Sequence, residues 1–188
     1  MRRGPPKIHR SHTVAQSRFF QIEALDLEFS NGEQRVYERL KGGGRGGVMV
    51  LPLDENDELI LISEYAAGSE RYELGFPKGL VDLGEAPLDA ANRELQEEIG
   101  YKAGRLDLLC DLSVAPSYFT SSMSIYLGRD LSPSQLEGDE PEPLDQVRVP
   151  LAQIDTLLLN PQFKEARSVA ALLMLERKLR FEQGDTDA

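Results

Sequence analysis

Tryptophan is absent, cysteine occurs once, as Cys110, and histidine twice, as His9 and His12. A single cysteine makes no internal disulfide, so a reducing, cytoplasmic setting is expected. Within its apolar surroundings Cys110 reads as a small buried residue. With both histidines near the start of the chain, a histidine-assisted mechanism and a histidine-containing zinc site are disfavoured. No serine–histidine pairing argues for a covalent nucleophile. No apolar run approaches the roughly 18–20 residues of a membrane span. The opening Met1-Arg2-Arg3-Gly4-Pro5-Pro6 has no apolar stretch behind it and does not read as a secretory signal. Basic residues are also scarce: 21 lysines and arginines face 32 aspartates and glutamates, a net charge of −11. A nucleic-acid partner is excluded on that ground, because the phosphate backbone demands a basic surface. A phosphate-bearing substrate would need cations to approach such a protein.

The 188 residues, 40% of them hydrophobic, suit one globular domain. Residues 1–16 are polar and read as a flexible N-terminus. From Phe19 to Phe29 apolar and polar positions alternate, with one slip near Ala24, then Asn31-Gly32 leads into Gln34–Leu40. That pattern predicts an antiparallel hairpin over 18–41. The glycines of 42–47 read as a hinge. A phosphate cradle is the alternative, but no lysine followed by serine or threonine completes it. Strands are predicted at 48–53, 59–65, 105–114, 122–129 and 145–150, and helices at 86–99, 151–159 and 162–181, an α+β arrangement. The boundaries drawn are a terminus at 1–16, a hairpin segment at 17–46, a main domain at 47–182 and a flexible tail at 183–188.

The helix at 86–99 carries the chemistry. At about 100° per residue, with Glu94 at zero, Glu97 lies near −60° and Glu98 near +40°. Leu88, Ala91, Leu95 and Ile99 fall at roughly 60° to 140°, a stripe suited to a core. Beside that stripe sits a cluster of carboxylates with Arg93 one turn before Glu97. Oxygen ligands of this kind suit hard cations such as Mg²⁺. Taken alone, three glutamates in five residues equally describe a solvated helix face.

The context around the helix is more specific. From Gly79 to Gly100 the chain reads glycine, five residues, glutamate, seven residues, then Arg93-Glu94-Leu95-Gln96-Glu97-Glu98-Ile99-Gly100. At about 7% usage per residue type, seven fixed positions coincide by chance about once in 10⁸. This spacing resembles the box of the Nudix hydrolases, with Tyr101 in place of the usual closing aliphatic residue. The resemblance extends to Asn31–Leu40, Glu64–Ala66, Tyr72–Gly79, Ala115–Phe119 and Leu136–Pro143. These are similar to ADP-ribose-pyrophosphatase-like Nudix enzymes, and within them to a bacterial subfamily acting on ADP-linked compounds.

That resemblance implies a Nudix fold, mixed β-sheets sandwiched between α-helices, and a homodimer in which the N-terminal hairpin reaches the partner. It implies Mg²⁺, or Mn²⁺, held by Glu94 and Glu98, with Glu85, the Lys78 carbonyl and Glu142 as further contacts. It implies catalytic parts for Glu97 and for Arg93, which orients the glutamates, and for Glu140 as the base that activates water. The acidic loop carrying Glu140 and Glu142 also reads as a solvated turn. Substrate contacts are assigned to Lys78, Tyr72, Glu73, Tyr118 and Phe119, the aromatic residues by stacking on adenine; core or loop packing is their alternative. Arg18 and Arg35 are weaker candidates. Phe76-Pro77-Lys78-Gly79 resembles the diadenosine polyphosphate hydrolases, and Ala66 stands where ADP-ribose enzymes often have arginine. Both departures point to a broad range of ADP-linked substrates: ADP-ribose, diadenosine di- and triphosphate, and NADH, each releasing AMP. Another nucleotide sugar, a nucleoside triphosphate, or a nucleotide-sensing module without turnover are the alternatives.

Overall fold

The computed structural model describes residues 4–182. The tail predicted at 183–188 lies outside them. The chain divides into two compact units, one of residues 1–46 with 113–122, the other of residues 47–112 with 123–188.

The first unit is built on a three-stranded antiparallel sheet, β1 (Lys7–Gln16), β2 (Gln21–Glu28) and β3 (Gln34–Lys41), in that order. The predicted hairpin is β2–β3, in unbroken register from Gln21↔Lys41 to Glu28↔Gln34. Gly32 takes φ +83° at its tip, a conformation that favours glycine. The loose terminus expected through residue 16 is corrected over residues 7–16, which pair with β2. Polarity misled there because β1 is almost wholly exposed and is held by its backbone ladder rather than by an apolar face. The slip in alternation near Ala24, which suggests a bulge or bend, falls where β2 is buried on both faces and next to a register shift in its pairing with β1. Glu23, Ala24 and Leu25 are buried in succession, and the register shifts lie beside His9 and Val14 on β1. Residues 113–122 belong to this unit: the Leu40 amide donates to the Tyr118 carbonyl (2.7 Å) and the Thr120 amide to the Leu40 carbonyl (3.2 Å).

The second unit has two sheets. One runs β7 (Lys78–Leu80), β4 (Gly47–Pro52), β9 (Ser121–Pro133), β8 (Tyr101–Val114), with β4 and β9 parallel; residues 113–114 of β8 and 121–122 of β9 are counted in the first unit. The other runs β10 (Asp145–Pro150), β5 (Glu58–Ala66), β6 (Arg71–Gly75), all antiparallel. Every residue of β4 is buried, as its unbroken apolar run requires. Helix α1 (Pro87–Glu98) begins at a proline, whose missing N–H costs nothing in a first turn. Helices α2 (Ile154–Leu159) and α3 (Ala166–Glu182) follow. The predicted start of α3 at 162 moves to 166, because Asn160 and Phe163 form a turn and Glu165 accepts the Ser168 amide (2.8 Å) as a cap. Phe163 meets Phe76 edge-on, with centroids 6.0 Å apart. The Val50 amide donates to the Pro77 carbonyl (2.9 Å), so the strand after Pro77 is seated on the core.

Ala90, Ala91, Leu95 and Ile99 pack with Val48, Val50, Ile60, Ile62 and Val81. Leu88, assigned by the pattern to this stripe, is 50% exposed instead. By the same helical count Ala90 lies near −40°, so the buried arc runs from there to about 140° and passes through Glu94 and Glu98. Both carboxylates are 7% exposed. The apolar and acidic faces therefore overlap rather than lie side by side.

Candidate active site

The site is assembled by α1 against β7. Arg93 is its organiser. Its Nε and Nη2 donate to the two Glu85 oxygens (2.9 and 3.1 Å), and Nη1 donates to Glu94 Oε1 and Glu97 Oε2, both at 2.8 Å. Nη2 also donates to the Leu80 carbonyl (2.9 Å). One planar guanidinium thus fixes three carboxylates and the end of β7, which a point charge on a lysine stem would not do. Glu85 accepts the Asp82 amide (2.9 Å), which ties down the turn before the helix.

Glu98 accepts the Lys78 amide at 2.9 Å. The Lys78 ammonium turns to Glu64 on β5, 2.5 Å away. Gly79 is required here by close approach: a Cβ on it would stand 2.0 Å from Glu94 Oε1. Burial pushes the Glu94 carboxyl up to about 7, against the pull of Arg93, and the Glu98 carboxyl up to about 8, against the pull of Lys78. These are two buried carboxylates whose charge is incompletely matched by the protein, and a bound dication would favour their ionised forms. Oxygen donors alone, with room made by glycine, fit a hard divalent cation. Among the described residues, no group of three acidic or histidine side chains is gathered into a ready cage. Glu94 and Glu97 are turned onto Arg93, and Glu98 onto the Lys78 amide.

The acidic loop lies beside this cluster. The negative charge of Glu140 is felt at Glu94. Gly138 lets the loop lie flat, since a Cβ there would meet Glu140 Oε2 at 2.2 Å and Glu97 Cβ at 3.7 Å. Glu142 accepts a hydrogen bond from the Tyr72 hydroxyl. A cavity of about 360 Å³ opens between them, lined by Glu64, Tyr65, Tyr72, Glu140 and Glu142.

The box residues, Lys78, Tyr72, Glu73, Glu140 and Glu142 all belong to the second unit. Glu73 sits opposite Glu64 across the β5–β6 ladder, and Ser69 and Arg71 hold its carboxyl below the usual range, Arg71 first. Tyr118 and Phe119 belong to the first unit, where they line a cavity of about 390 Å³ with Leu25, Tyr37 and Arg39. Arg18 lies over Phe19 (5.0 Å) and Arg35 pairs with Glu33 (2.8 Å). Sequence reasoning missed Glu64, because its link to Lys78 is made across space and not along a spacing. It also missed Gln96 and Ser134, which join the loop to α1.

A model of the Nudix domain matches residues 44–173, and the chain belongs to the Nudix hydrolase family; it is a Nudix pyrophosphohydrolase. The NudE-type Nudix hydrolase N-terminal domain matches residues 6–39, which takes in nearly all of the three-stranded sheet. The chain is 55% identical to ADP compounds hydrolase NudE of Escherichia coli, covering 93% of this chain and 94% of that one. It is 27% identical to an ADP-ribose pyrophosphatase of Bacillus subtilis, over 88% and 92% of the two chains. A crystal structure of an ADP compounds hydrolase superposes with a TM-score of 0.91 at 53% identity, covering 99% of this chain and all of that one. The expected Nudix fold, with its antiparallel N-terminal hairpin, is therefore present.

Proposed function

We propose that the protein hydrolyses the pyrophosphate bridge of ADP-linked compounds, with ADP-ribose, diadenosine di- and triphosphate and NADH as substrates and AMP as a common product. The observation that carries this reading is the Arg93-centred carboxylate cluster on α1, in a chain 55% identical to an ADP compounds hydrolase over 93% of its length. Glu94 and Glu98 would hold Mg²⁺, with Glu85, Glu97, Glu142 and the Lys78 carbonyl as further contacts, and Mn²⁺ would serve in its place. The cation supplies charge neutralisation at the pyrophosphate. Arg93 keeps Glu85, Glu94 and Glu97 aligned. Glu140 accepts the proton of the attacking water. Water oxygen bonds to one phosphorus as the bridging oxygen departs with its electron pair. The Lys78 ammonium, parked on Glu64, offers a point charge to phosphate oxygens.

A substrate panel with Mg²⁺ tests this. AMP is expected from ADP-ribose, diadenosine triphosphate and NADH, and folded, metal-loaded protein inactive on all ADP-linked compounds would contradict it. The protein is further read as a homodimer formed through its N-terminal sheet. Ile8, Val14, Val36 and Tyr37 leave that sheet with exposed apolar side chains. Sedimentation equilibrium should give twice the chain mass of 21.0 kDa, and a monomer at micromolar concentration would refute it.

A further inference from the structure

The acidic loop is fastened at both ends. At its start the Ser134 amide donates to the Gly100 carbonyl (2.9 Å), the Leu136 amide to the Gln96 carbonyl (3.2 Å), and Gln135 Nε2 to the Glu97 carbonyl (3.3 Å). At its end Asp145 pairs with Ser63 as β10 joins β5. The span between, residues 137–144, has two prolines that stiffen it, packs Leu144 against the core at its end, and has one side-chain hydrogen bond to the sheet, from the Tyr72 hydroxyl to Glu142. Tyr72 stands opposite Tyr65 in the β5–β6 ladder, and their rings meet edge to face with centroids 5.7 Å apart. The hydroxyl is thus presented from a ring braced by a neighbouring strand.

We propose that Tyr72 is a positioning residue for the acidic loop: by holding Glu142 against the sheet it sets where Glu140 stands beside Glu94. This rests on the reading that the loop serves hydrolysis. It gives Tyr72 a different part from stacking on adenine. The donor's chemistry suits the task. A neutral hydroxyl orients a carboxylate without cancelling its charge, whereas lysine or arginine would neutralise it. Partners that orient metal-binding carboxylates in this way are generally worth about 10- to 100-fold when removed.

Tyr72→Phe removes the hydroxyl and keeps the ring contact with Tyr65. In metal- and substrate-free protein, amide exchange across residues 137–144 should speed up while that of β4 stays native. With ADP-ribose and Mg²⁺, kcat should fall about tenfold with KM within about twofold. Placed in a Glu142→Ala background, Tyr72→Phe should cause no further loss, because the group it positions is gone. Native loop exchange, native kcat, or losses that add across the two substitutions would each overturn the proposal. Full turnover by Glu142→Ala alone would overturn the part given to the loop in hydrolysis, and the positioning role with it. An impaired Glu142→Ala beside a native Tyr72→Phe would overturn the positioning role alone.

Discussion

Two residues show how environment decides what a glutamate does in this protein. Glu98 is buried with the Lys78 charge and the Lys78 amide to answer its own, and burial still pushes its carboxyl up to about 8. Glu23, 5% exposed within the N-terminal sheet, goes the other way, down to about 2. The Ser11 hydroxyl contributes most, then Arg39 at 2.6 Å and Lys41 at 3.2 Å. On the proposed reading the first would be answered by a cation; the second is already satisfied and serves the sheet. Because the folded value of Glu23 is below an ordinary glutamate's 4.5, its contribution is present above pH 4.5 and is lost as pH falls towards 2. Glu23→Gln should therefore lower the melting temperature at pH 7, and the gap to the native protein should close between pH 4.5 and 2. A gap that does not change with pH would contradict the assignment.

At the scale of elements, legibility followed distance along the chain. Helix α1 and its box could be read because Glu85, Arg93, Glu94, Glu97 and Glu98 lie within fourteen residues, the last four on one helix and Glu85 in the turn just before it. The hairpin β2–β3 could be read because its turn chemistry sits at the tip. Strand β1 could not, because an exposed strand held by its backbone ladder and polar side-chain bonds carries no apolar alternation. The short strands β6 and β7 are bounded by residues whose pattern is occupied by the site itself. Leu88 illustrates a limit of angular arithmetic. Its direction suits the core, yet it lies in the first turn of α1 and is half exposed, while Ala90 is buried. The pairs Lys78–Glu64 and Tyr72–Glu142 were beyond reach for a different reason. They span 14 and 70 residues and exist only once β5 pairs with β6 and the loop returns along β10.

The whole molecule carries a net charge of −11, and its site adds buried carboxylates to that field. Its reading as an enzyme for doubly charged pyrophosphates holds only if dications bind at α1 and reverse the local sign. The most direct test compares AMP release from ADP-ribose by the native protein with Mg²⁺, by the same protein in excess chelator, and by Glu98→Gln with Mg²⁺. Release should be fast in the first, absent in the second, and reduced by about 100-fold or more in the third, with its fold intact by circular dichroism. Undiminished AMP release in chelator, or from Glu98→Gln, would contradict the account.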